Sequence, residues 1–145
     1  MMRPIRIKST EKAQSFVELA LAFILMLIML AGVIDLGRAF FTYIALRDAA
    51  QEGALYGSLN PTATTLIEDR ARSTSSNPVD LTNTTDVRVD ITLLGQPCMG
   101  QGIKVDVTYA TFPLAMPFLG TIIGKQTIPI HATVTDTILR PPCEP

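Results

Sequence analysis

From Leu19 to Ile34 the chain passes through uncharged residues only, LALAFILMLIMLAGVI, and Phe16-Val17 carries the apolar character back past Glu18. Counted from Phe16, this stretch is long enough as a helix to cross ~30 Å of hydrocarbon at ~1.5 Å per residue. A soluble helix keeps one polar face, and no such face runs through these turns. A secretory signal sequence shares the basic start and apolar core. Its core, however, is ~7–15 residues long and stops at a small-x-small cleavage site, whereas here helix-favouring sequence follows directly. The pattern therefore predicts a membrane-spanning helix over about 16–35.

Beyond Ile34 the period stays helical but a polar stripe appears. DLGRAFFTYIALRDAAQEGALYG has no proline and sets Leu36, Phe40, Tyr43 or Ile44, and Leu46 or Arg47 at helical intervals. Asp35 and Arg38, three apart, are neighbours on one face and can pair just above the membrane surface. Breakers come only at Gly57 and at Asn60-Pro61. One continuous helix is predicted from about Glu11 to Tyr56, about 65–70 Å long. Thr62, Thr64 or Thr65 can then cap a short helix through Leu66, Ile67 and Ala71 to about Arg72, and Ser73–Asn77 is a polar loop closed by Pro78.

From Asp86 the period becomes two. Val87, Val89, Ile91 and Leu93 alternate with Arg88, Asp90 and Thr92. After a turn over residues 96–102, Ile103, Val105, Val107 and Tyr109 alternate with Lys104, Asp106 and Thr108. A third run sets Ile128, Ile130, Ala132 and Val134 against Thr127, Pro129, His131, Thr133 and Thr135. One apolar and one polar face per run is the mark of a half-buried antiparallel sheet. Three strands cannot bury that face alone, so the outer half of the long helix is the expected cover. Pro129 places the last run at an edge or at an irregularity. FPLAMPFLGTIIG, from Phe112 to Gly124, is too apolar for an exposed loop; it folds back as core, or it faces the bilayer or a neighbouring subunit.

The fold class is thus α+β: a long N-terminal transmembrane helix continuing into a small extracytoplasmic head with a three- or four-stranded antiparallel sheet. The expected organisation is a basic leader (1–13), the long helix (14–57), a loop with a short helix (58–85) and the β head (86–145).

Charge adds orientation. Arg3, Arg6, Lys8 and Lys12 precede the apolar run against Glu11 alone, while Arg38 and Arg47 after it are offset by Asp35, Asp48 and Glu52. The bias puts the N-terminus in the cytoplasm and the head outside. A net charge of −1 gives no global field for nucleic acid. Cys98 and Cys143 both fall in the external part, where a disulfide closing a loop of about 46 residues would contribute ~4 kcal/mol in the chain-entropy model; two buried free thiols are the alternative.

Candidate chemistry is sparse. His131 stands on a polar strand face with no ligand-spaced partner, and the strand aspartates Asp86, Asp90 and Asp106 have no partner acid. No metal, cofactor or catalytic set is expected, and no small-molecule substrate. Asn83-Thr84-Thr85 matches a glycosylation acceptor, a tripeptide frequent by chance. Glu18 differs: a carboxylate opening an apolar helix must be neutralised, reach the interface or find a cation. It would be the fifth residue of a chain beginning at Gln14 after Ala13.

Gln14-Ser15-x-Val17-Glu18, Asp35-x-Gly37-Arg38 and Ala45-Leu46-x-x-Ala49-Ala50-x-Glu52-Gly53-Ala54-x-Tyr56 together give a segment that resembles the TadE-like family, the pilin-like proteins of tight-adherence (Flp-type) pilus systems. The likeness covers about 45 residues. The rest matches only in style, with strands around a Phe-Pro segment such as Thr111-Phe112-Pro113. It implies a minor pilin or pseudopilin in the plasma membrane, cut between Ala13 and Gln14 by a prepilin peptidase. Glu18 would then meet the Gln14 amine of a neighbouring subunit. Such precursors usually carry glycine before the cut, and this chain has Ala13. The implied partners are the lipid bilayer, other pilin-like subunits and pilus assembly proteins. The alternative is a membrane-tethered external binding module that joins no filament; a membrane-bound enzyme would need a polar cluster that the head does not offer.

Overall fold

The computed structural model describes residues 9–116 and 119–143, so the first eight residues of the expected leader lie outside the described residues. Helix α1 runs from Ser9 to Leu59, about 75 Å at the α-helical rise. It overruns the expected end at Tyr56 because Gly57 serves packing rather than termination. A Cβ there would stand 2.6 Å from Ile103 Cδ1, so glycine lets the Ile103 side chain rest directly on the helix backbone. The helix stops instead before Pro61, whose ring disfavours helical geometry in the preceding Asn60. Helix α2 spans Thr64–Arg72. None of the expected threonines caps it: Ala63 holds the N-cap position with no side-chain hydrogen bond.

Strands β1 (Val87–Leu93), β2 (Gly102–Pro113) and β3 (Thr127–Thr137) form an antiparallel sheet in the order β1-β2-β3. In register, Val105 lies between Ile91 on one side and Val134 on the other. Both outer strands are edges, and the β2–β3 register slips between Tyr109 and Phe112, opposite Pro129. The proline thus sits on an edge strand at a bulge, where its missing N–H costs no ladder bond. A five-residue helix α3 (Leu119–Ile123) links β2 to β3.

The outer half of α1 covers the sheet, as the alternation of both elements requires. Leu46, Ala49, Ala50 and Ala54 pack with Ile67, Val87, Ile103, Val105, Val107, Ala132 and Ile138 in one core. Small residues on α1 set the distance: a Cβ on Gly53 would meet Ala71 at 3.2 Å and Val105 at 3.3 Å. Polar ties close the edges. The Arg72 guanidinium donates to the carbonyls of Leu81 (2.8 Å) and Val87 (3.2 Å) and pairs with Glu68 at 2.8 Å. The Leu139 amide donates to the Ser58 carbonyl at 2.8 Å, docking the C-terminal segment on the end of α1. Cys98 and Cys143 are joined as a disulfide, with Cα atoms 4.9 Å apart.

Candidate functional site

The inner half of α1 has no head around it. Every described residue from Ala13 to Ile34 is exposed except Ile28, Ala31 and Gly32, which are half-covered. Among the described residues, this is the one helix long and apolar enough to cross a membrane. Ala13, Gln14 and Glu18 lie on its first turns, exposed, with Val17 and Leu21 beside them on the same side. The helix passes unbroken through Ala13 and Gln14. No described cation stands within ion-pair distance of Glu18.

Asp35 and Arg38 do come together, at 3.3 Å between Oδ1 and the guanidinium. Their pairing is the lesser part of the arrangement. Asp35 is 6% exposed, and its carboxylate accepts the backbone N–H of Ala115 through both oxygens, at 3.0 and 2.8 Å, and that of Met116 at 2.7 Å. A carboxylate at this depth has lost its water, and charge-assisted bonds from two amides compensate for the loss. Arg38 completes the site: its guanidinium lies 5.3 Å from the centre of the Phe112 ring and donates to the Pro113 carbonyl at 3.4 Å. Helix and head are therefore joined twice, through the core at residues 46–57 and through this clamp at the edge of the apolar run.

The clamp divides the Phe112–Gly124 segment that the sequence left open. Phe112 is core, 2% exposed, and Pro113 still pairs with Thr127. Leu114 to Met116 then turn back onto α1, where Met116 Cε would stand 2.5 Å from a Cβ on Gly32. Beside the clamp opens a cleft of about 490 Å³ between helix and head, with Arg38, Phe41, Asn77 and Tyr109 in its walls.

The amides of Ala115 and Met116 carry no sequence signal, since any residue supplies an N–H. Only the apolar excess of the segment hinted that it meets something. His131 is exposed on β3, opposite Thr108. Among the described residues no group of three or more His, Cys, Asp or Glu could hold a metal ion. Among the described residues, Asp80 in the loop before β1 is the group whose ionisation is displaced: the Thr82 side chain and then its amide hold the carboxyl below its ordinary value.

No curated protein and no solved structure matches the chain. The family model described as TadE-like protein matches residues 13–55, so the part of the chain that is similar to the TadE-like family is the helix that carries Ala13, Gln14, Glu18, Asp35 and Arg38.

Proposed function

We propose that this protein is a non-enzymatic, membrane-anchored, pilin-like component of a tight-adherence pilus assembly or secretion apparatus. The observation that carries the proposal is the match of residues 13–55 to the TadE-like family, laid along one helix whose apolar inner half is open to its surroundings. In this reading the N-terminus is cytoplasmic, α1 crosses the plasma membrane, and the head stands outside. A prepilin peptidase removes the leader after Ala13, and the freed helix slides laterally against other pilin-like subunits. Glu18 supplies the polar contact of that assembly: an apolar helix surface gives adhesion without register, and a single desolvated carboxylate paired with an amine fixes the register.

Deletion in a piliated cell tests this reading. Surface pili and adherence are lost on deletion and restored by the intact chain; undiminished pili would contradict the role. Mass spectrometry of the membrane-bound protein tests processing, with a chain starting at Gln14 expected and an intact leader contradicting the cut.

One observation favours a second reading. The cleft beside Arg38 and Phe41 suits an external binding module tethered by α1. That module would keep its function when α1 is exchanged for an unrelated apolar helix of equal length, whereas a pilin-like subunit would lose it.

A further inference from the structure

The depth at which the clamp holds the head has a physical consequence for the membrane. Gly32 lies inside the apolar run, two residues before its end at Ile34, so Met116 packs against α1 about 3 Å below that end. Ile28, Ala31 and Gly32 are the residues of the run that the structure half-covers. On the other side of the boundary, Leu36 and Phe40 remain 72% and 59% exposed. The exposed apolar surface of α1 therefore continues past Ile34, into the headgroup zone that adds several ångströms to each side of the hydrocarbon. An element held at residues 32–35 of this helix cannot be in bulk water if the helix spans the bilayer.

The sequence that follows the clamped turn suits such a place. α3, which follows the clamped turn, reads LGTII and presents Ile122 at 80% exposure, the highest of the exposed large hydrophobic residues. Thr121 beside it is exposed too. Lys125, also exposed, comes just after the Gly124 turn, where φ is +74°. An exposed isoleucine close to a cation is what a lipid interface takes up, acyl chains against the former and phosphate against the latter. Asp35 makes the placement possible. A turn entering the interface brings amides that water no longer satisfies, and the carboxylate accepts two of them at the point of entry.

We propose that Leu114–Met116 and α3 form a second, non-spanning lipid contact: an interfacial wedge on the head side of the same bilayer that α1 crosses, clipped to the helix by Asp35. The inference rests on the membrane-spanning reading of α1 and is independent of any role in a pilus. It gives the head a fixed tilt and height over the membrane, because two points of lipid contact restrict motions that one helix alone would allow.

The chain contains no tryptophan, so a single introduced tryptophan reports its own surroundings. The full-length protein would be reconstituted in phosphatidylethanolamine–phosphatidylglycerol vesicles containing lipid brominated either near the headgroup end or near the methyl end of the acyl chain. Ile122→Trp and, as a second reporter, Thr121→Trp replace exposed residues and leave the core untouched. Leu27→Trp marks the span and Leu66→Trp, on α2 far along α1, marks the head. The expected result is loss of most Ile122→Trp emission with headgroup-end bromine, little loss with methyl-end bromine, and none for Leu66→Trp. Unquenched, water-like emission at both 121 and 122 would overturn the wedge. Blue-shifted emission there that bromine does not touch would overturn it also, by showing a protein partner, such as a second copy, in place of lipid. Failure of methyl-end bromine to quench Leu27→Trp would instead refute the spanning helix itself, and the wedge with it.

Discussion

The Asp35 carboxylate accepts the Met116 amide at 2.7 Å across a sequence separation of 81 residues, and this bond joins α1 to the edge of the head nearest the apolar run. Replacing Asp35 with alanine leaves the amides of Ala115 and Met116 without their acceptor in a place poor in water. The expected cost is roughly 2–4 kcal/mol, concentrated locally. Hydrogen exchange in lipid nanodiscs checks it: the amides of 115 and 116 should lose protection while those of β1 keep theirs. Arg38→Ala should cost at most about 1 kcal/mol, since the guanidinium is half exposed and the two amides still satisfy the Asp35 carboxylate. Equal loss in both variants would mean that the ion pair, and not the amide clamp, holds the segment.

Two glycines of α1 should respond oppositely to enlargement. Gly57→Val drives a branched side chain into Ile103 and Ile67 and is expected to destabilise the head by about 1–3 kcal/mol. At Gly37 a Cβ meets nothing within 4 Å, so Gly37→Ala should stabilise the helix by up to ~1 kcal/mol. Thermal unfolding of the two variants, followed by circular dichroism, separates them. A neutral Gly57→Val would show that the sheet does not lie on α1 as described.

The Cys98–Cys143 disulfide pins the C-terminal segment, whose Leu139 amide also bonds to the end of α1. Reduction, or the double replacement by serine, frees a loop of about 46 residues and is expected to lower stability by ~4 kcal/mol in the chain-entropy model. Urea unfolding with and without reductant measures it. Unchanged midpoints would mean that the bond contributes nothing to the folded head.

Much of this architecture was legible in the chain before any coordinates. The uncharged run from Leu19 to Ile34 marks a helix with no polar face, the two-residue alternations of Val87–Leu93, Ile103–Tyr109 and Ile128–Val134 mark half-buried strands, and the sheet lies under α1 as their apolar faces demand. Boundaries set by packing were not legible. Gly57 reads as a breaker until Ile103 is seen above it, and α2 begins without the hydroxyl cap its threonines suggest. Arg72 looked like the end of a short helix and turns out to hold the carbonyls of Leu81 and Val87. The clamp was half legible: Asp35 and Arg38 were adjacent by helical spacing, but the backbone donors of Ala115 and Met116 have no signature in sequence.

The proposed function makes α1 an assembly element as well as an anchor, and Glu18 is the residue that separates the two roles. The measurement is the number of surface pili on cells carrying Glu18→Gln in place of the wild-type chain, with the amount of protein in the membrane determined in parallel. Glutamine keeps the size and polarity of the side chain and removes its charge, so anchoring is unaffected. Normal membrane levels with pili and adherence lost are expected. Normal piliation at normal membrane levels would contradict the assembly role and leave α1 as an anchor alone.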